Sequence, residues 1–78
     1  MLTPAEVLNA CFLETRCQLL EIGAMLDRLD RAVAPGAATK RPADERLAKI
    51  YQSLALLADR ETTPDRAERL LNLFSDPA

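Results

Sequence analysis

Histidine and tryptophan are absent from this 78-residue sequence, and its aromatic residues are limited to Phe12, Tyr51 and Phe74. Histidine is the commonest general base and the commonest metal ligand, so its absence removes the usual centre of acid–base or metal chemistry. The two serines, Ser53 and Ser75, have no candidate base nearby in the sequence to activate them as nucleophiles. The sequence therefore predicts no catalytic residue, no metal site and no cofactor, and a protein that is not an enzyme.

An excess of charge of one sign and long hydrophobic runs are also lacking. Twelve acidic and ten basic residues give a net charge of −2, whereas nucleic acid binding depends on a basic surface. No apolar run approaches the ~20 residues that span a bilayer, and the first residues lack the pattern of a secretory signal. Cys11 and Cys17 point about 120° apart on a helix and cannot bond to each other. Two free thiols without a signal indicate the cytoplasm, with no membrane partner.

Leucine and alanine dominate the hydrophobic residues, which make up 49% of the chain, while 28% of its residues are charged. This balance is typical of an ordered protein built from helices. A single domain over residues 1–78 is close to the lower size limit for folding alone, so association with another chain is expected.

Helix 1 is predicted over residues 4–33. Thr3-Pro4-Ala5-Glu6 is a typical start, with a capping threonine, a proline in the first turn and a glutamate three residues after the cap. Apolar residues then recur every three or four positions and predict one buried face, here called the main stripe. Its members, seven of the eight apolar, are Leu8, Phe12, Thr15, Leu19, Ile22, Leu26, Leu29 and Val33. Ala34-Pro35-Gly36 is expected to end the helix and 37–41 to form a loop.

Two shorter helices are predicted after the loop. Helix 2 covers about 42–60, and helix 3 covers 64–75 with Thr63 as its N-cap and Pro64 in the first turn. The residues expected to face inward are Leu47, Ile50, Tyr51, Leu54, Leu57, Ala58, Ala67, Leu70, Leu71 and Phe74. At 1.5 Å per residue helix 1 is ~45 Å long, about the combined length of the other two. The fold class is therefore all-α, with helices 2 and 3 running antiparallel to helix 1 and covering it in a three-helix bundle.

Helix 1 carries apolar residues on a second side as well. Nearly opposite the main stripe lies a set here called the second face, which consists of Ala10, Leu13, Cys17, Leu20 and Ala24. Helices 2 and 3 can cover only one side, so the second face predicts a homodimer in which helix 1 packs against helix 1 of the other copy. Charged residues are expected at the rim of this contact, namely Glu14, Arg16, Glu21, Arg28 and Arg31. An antiparallel crossing near Cys17 would bring the two Cys17 side chains together, although the pattern leaves parallel and antiparallel pairs open.

The second face, the glutamates, the thiols and the basic residues also allow other interpretations. The second face could bind a different, larger protein instead of a second copy. Glu14 and Glu21 share a side of the helix as in a carboxylate-bridged metal site, and the two thiols could serve redox chemistry, which gives a metal or thiol-redox accessory protein as an alternative. Basic residues cluster only around the loop, and they predict at most a weak nucleic-acid-associated regulator. They are Lys40, Arg41, Arg46 and Lys49.

Overall fold

The computed structural model describes residues 1–33 and 44–75 of the chain. These residues form three α-helices and no strand: α1 Pro4–Arg31, α2 Glu45–Ala58 and α3 Arg66–Ser75. The predicted all-α class is therefore confirmed for the described part of the chain. The chain divides into two compact units, Met1–Arg41 with α1 and Pro42–Ala78 with α2 and α3.

The start of α1 confirms the predicted capping box. The Thr3 hydroxyl accepts a hydrogen bond from the Glu6 backbone amide at 3.2 Å, and the Thr3 amide donates to Oε1 of Glu6 at 3.0 Å. These reciprocal bonds satisfy two amides that have no partner within the helix. They also stabilise the ionised carboxylate, so the backbone amide and then the hydroxyl of Thr3 lower the pKa of Glu6 below its usual value.

The end of α1 comes at Arg31, two residues before the predicted Val33. The amide of Ala32 donates to the carbonyls of Arg28 and Leu29 at 3.1 and 3.2 Å, and the amide of Val33 donates to that of Asp30 at 3.3 Å. This shift from bonds four residues apart to bonds three residues apart tightens the last turn and ends the α-helical pattern. The predicted break at 34–36 and the loop at 37–41 lie outside the described residues.

Helix α2 begins later and ends earlier than the predicted 42–60, and Pro42 itself lies outside the described residues. Asp44 is the N-cap, and its Oδ1 accepts from the Arg46 amide at 2.8 Å. After Ala58 the backbone of Asp59 is extended, while its amide still donates to the Leu56 carbonyl at 3.3 Å. Since Asp44 supplies the acceptor that the first turn needs, the proline is not required to start this helix.

Helix α3 begins at Arg66, and the prediction of a start at Pro64 capped by Thr63 is wrong. The Thr63 hydroxyl donates to Oδ1 of Asp65 at 2.9 Å, so it does not cap the helix as an acceptor. The first helical bond runs from the Arg69 amide to the Asp65 carbonyl at 3.0 Å, which places Asp65 at the position before the helix. Its carboxylate also pairs with Nε of Arg69 at 3.2 Å.

Helices α2 and α3 pack against each other. Leu47, Ile50 and Leu54 of α2 are half-buried, as expected, and Leu70 of α3 is half-buried together with Leu73. The remaining residues predicted to face inward are instead exposed: Tyr51, Leu57, Ala58, Ala67, Leu71 and Phe74. The buried side of each helix is thus narrower than the apolar pattern.

Ser53 is the one buried residue among those described, at 8% exposure, and no described hydrophobic residue is buried to this extent. The Ser53 hydroxyl donates to the Lys49 carbonyl at 2.8 Å, which satisfies it within its own helix. Large aliphatic side chains therefore remain partly in contact with water throughout the described part of the chain.

Candidate interaction surface

Helix α1 positions the second face on one continuous helix of 28 residues. All five members of the face are exposed in the single chain, Leu13 at 70% and Leu20 at 57%, together with Ala10, Cys17 and Ala24. Their spacing of three and four residues, maintained over two heptads, makes them one uninterrupted apolar strip. The structure therefore brings all five predicted residues onto one exposed surface.

The main stripe of α1 divides into two halves. Leu8, Phe12 and Leu19 in the first half are 62%, 62% and 58% exposed. The second half, from Ile22 to Val33, is half-buried at its apolar positions. Over its first half α1 therefore exposes apolar residues on both of its sides in the single chain, and the covering of this half by α2 and α3 stays a prediction.

The rim charges of the second face are all exposed, as a polar boundary would be: Glu14, Arg16, Glu21, Arg28 and Arg31. Arg16 and Glu21 have no charged residue three or four positions away on α1, the distances at which helical side chains meet. Within the described residues neither of them forms an ion pair. Their charges are thus available to a neighbouring molecule.

Gly23 opens a gap in the polar strip between the two apolar sides. An open, mainly apolar depression along α1 is lined by Phe12, Arg16, Leu19, Leu20, Gly23, Ala24 and Asp27. A β-carbon placed on Gly23 would meet no atom within 4 Å. The gap therefore arises from the missing side chain and not from a close approach of another part of the chain.

Both cysteines, Cys11 and Cys17, are free and exposed in the single chain. Among residues 1–33 and 44–75 no group of three or more acidic or cysteine side chains is placed to hold a metal ion. Glu14 and Glu21 share a side of α1 but lie seven residues, or about two turns, apart.

One residue of the predicted basic cluster, Arg46, forms an ion pair with Asp44 that the sequence did not predict. Arg46 donates from Nε and Nη2 to the two carboxylate oxygens of Asp44 at 3.0 and 2.7 Å. These bonds lower the pKa of Asp44 to about 2 and raise that of Arg46. Arg46 therefore helps to fix the start of α2, while Lys40 and Arg41 lie outside the described residues.

The segment between α2 and α3 is held by a second arginine that the sequence reasoning also missed. Nη2 of Arg66 donates to the Asp59 carbonyl at 2.8 Å, while Nε of Arg66 is buried without a hydrogen-bond partner among the described residues. Oδ1 of Asp59 accepts from the Glu61 amide at 3.0 Å. An acidic residue directly after a helix and an arginine seven residues on were the only signals available.

No helix of the described residues is long and apolar enough to cross a bilayer. No protein-family model, curated protein or solved structure compared with the chain matches it.

Proposed function

We propose that the chain is a non-enzymatic helical interaction module that forms a homodimer through the second face of α1. The observation that carries the proposal is the exposure of Leu13 and Leu20 on a continuous helix, in line with three small residues. Contiguous exposed apolar surface usually marks a contact site, and the small residues between the leucines place no bulky side chain in the way of a second helix. Two-fold pairing is also the commonest form of self-association.

Leu19 and Leu20 offer a matched test of this surface. They are adjacent, of the same type and equally exposed, at 58% and 57%, but Leu19 belongs to the main stripe and Leu20 to the second face, about 100° apart around α1. Leu20→Glu should convert the dimer to a monomer, because two carboxylates would be buried in the contact. Leu19→Glu should leave the dimer intact. Light scattering on a sizing column at high micromolar concentration measures both, and circular dichroism verifies that each variant keeps its helices.

Leu13→Glu provides a second test with the same expected loss of the dimer. If the unmodified chain is monomeric at high micromolar concentration, self-association is wrong and the second face is left for a different, larger protein. If both Leu19→Glu and Leu20→Glu abolish the dimer while the helices persist, the contact is not confined to the second face.

The three-helix bundle, with α2 and α3 antiparallel along the main stripe of α1, stays a prediction from the apolar pattern. Nuclear Overhauser contacts between Phe12 and side chains of α3 would test it. Localisation in the cytoplasm is likewise a proposal, supported by the two free thiols.

A further inference from the structure

The charged residues beside the second face indicate whether two paired copies of α1 run parallel or antiparallel. The spacing places Ala10, Cys17 and Ala24 at the a positions of a heptad and Leu13 and Leu20 at the d positions. Arg16 then occupies a g position, and Glu14 and Glu21 occupy e positions. Side chains at e and g flank the apolar seam of a coiled coil and select partner orientation.

In a parallel pair, the g residue of one heptad lies beside the e residue of the partner's next heptad. Arg16 of each copy then meets Glu21 of the other, which gives two opposite-charge contacts by symmetry. Asn9 meets Glu14 and Gly23 meets Arg28, so no like-charge contact forms along the seam. The leucines stack at d positions, where leucine favours parallel dimers.

An antiparallel pair places e beside e and g beside g. In the register that pairs Cys17 with Leu20, Glu14 of each copy lies beside Glu21 of the other, which gives two repulsive contacts. In the register that pairs Cys17 with Leu13, Glu14 meets Glu14 and Arg16 meets Arg16. Both antiparallel registers would set each leucine against a small residue of the other copy. Neither register, however, places an opposite charge beside Arg16 or Glu21.

The ends of the seam limit its length. Asp27 and Arg31 continue the heptad beyond Ala24, and in a parallel pair identical charges would meet there, so the contact ends at Ala24. In the first antiparallel register Arg31 would face Glu6, but that carboxylate already accepts from the backbone amide of Thr3. The opposite-charge contacts within the seam therefore favour the parallel pair.

We propose that the partner of the second face is a second copy in parallel orientation, joined over residues 10–24 and oriented by reciprocal contacts between Arg16 and Glu21. This inference rests on the proposed dimer and gives it a direction. It chooses between the parallel and antiparallel pairs that the apolar pattern leaves open. A crossing centred on Cys17 would set Leu13 and Leu20 level with Glu21 and Glu14 of the other copy, so neither leucine would pack against an apolar residue.

Two substitutions of equal charge change separate the orientations. Glu21→Arg should weaken a parallel dimer, with a rise in the dissociation constant on the order of tenfold at low salt, because two attractive contacts become repulsive. Glu14→Arg should leave it nearly unchanged, because its neighbour is Asn9. In the antiparallel register that pairs Cys17 with Leu20, both substitutions should tighten the dimer. Arg16→Glu combined with Glu21→Arg should restore the affinity of a parallel dimer.

Thiol exchange provides an independent measurement. At an a position of a parallel pair, the two Cys17 residues are level, within the α-carbon separation of about 4.4–6.8 Å that a disulfide allows. Exchange with oxidised glutathione, which releases two molecules of reduced glutathione per disulfide, should link Cys11→Ala chains into covalent dimers. Cys17→Ala chains should remain unlinked, since Cys11 lies away from the seam. In either antiparallel register the two Cys17 residues are offset by about 4.5–6 Å along the axis.

The results separate the two proposals. Sedimentation of the unmodified chain as a monomer overturns the dimer and the orientation together. A dimer that Glu21→Arg tightens, and that does not cross-link through Cys17, overturns the parallel orientation alone. A dimer that Glu21→Arg weakens, that Glu14→Arg spares and that cross-links through Cys17 supports both.

Discussion

Short polar side chains fix where the helices of this chain begin. Thr3, Asp44 and Asp65 each stand directly before a helix, and the first two accept from amides of the first turn. A carboxylate at this position also interacts favourably with the positive end of the helix dipole. The starts of α1 and α2 are therefore each stabilised by one capping side chain and can be tested by single substitutions.

Thr3→Ala should lower the free energy of unfolding by about 1 kcal/mol, because the Glu6 amide loses its acceptor. Urea titration followed by circular dichroism measures this change. Thr3→Ser keeps the hydroxyl and serves as the control. An alanine variant as stable as the unmodified chain would show that the capping box contributes nothing to stability.

Asp44 should make the stability of α2 sensitive to acid. Its carboxylate, bonded first to the Arg46 side chain and then to the Arg46 amide, has a pKa of about 2, against 3.8 for the free group. Because the pKa is lowered on folding, the stabilisation is complete above about pH 4 and is lost as the pH falls through about 2. Carboxyl chemical shifts measured by NMR should give this low midpoint for Asp44. A midpoint near 3.8 would show that the contact with Arg46 does not persist in solution.

At the scale of the element, α1 has one position where its stability can be raised. Gly23 lies inside the helix, and a β-carbon there meets open space. Gly23→Ala should therefore stabilise the chain by about 1 kcal/mol, through helix propensity alone. Thermal unfolding followed by circular dichroism would show this gain. The Gly23→Ser variant should have a stability between those of the unmodified chain and the alanine variant. A destabilised alanine variant would mean that another molecule occupies the gap.

The sequence predicted α1 more accurately than the other helices. The capping box of α1 and its repeating apolar residues act locally, so its start was predicted correctly. For α3, the same pattern of threonine, proline and aspartate failed because the Thr63 hydroxyl has a nearer acceptor in Asp65. The choice between two acceptors depends on geometry that residue type does not reveal. Asp44 was missed because Pro42 offered a more familiar start signal.

Burial was harder to predict than helix position. Apolar spacing identified the residues of α2 and α3 that can face inward, but Tyr51 and Phe74 remain exposed. Which part of an apolar stripe is covered depends on the angle and length of contact between helices, and a one-dimensional pattern does not contain these. The five residues of the second face share a side because one continuous helix holds them all, and their role as a dimer contact stays a prediction.

For the whole molecule, the proposed dimer implies stability that depends on concentration. Because a dimer is populated by mass action, the contact between two copies should add more to the folding free energy as the concentration rises. The melting temperature should therefore rise as the protein concentration is raised from about 1 to 100 μM. Leu20→Glu should remove this dependence. A melting temperature independent of concentration in the unmodified chain would contradict the dimer.

The exposed leucines of α1 also bear on how long the protein survives in a cell. Proteases cut chains that open, and the fraction of open chains falls when an equilibrium partner holds the closed form. If that partner is a second copy, sparse molecules are degraded faster than abundant ones. The amount of the protein would then govern its own turnover, and a modest drop in synthesis would be amplified into a larger drop in supply.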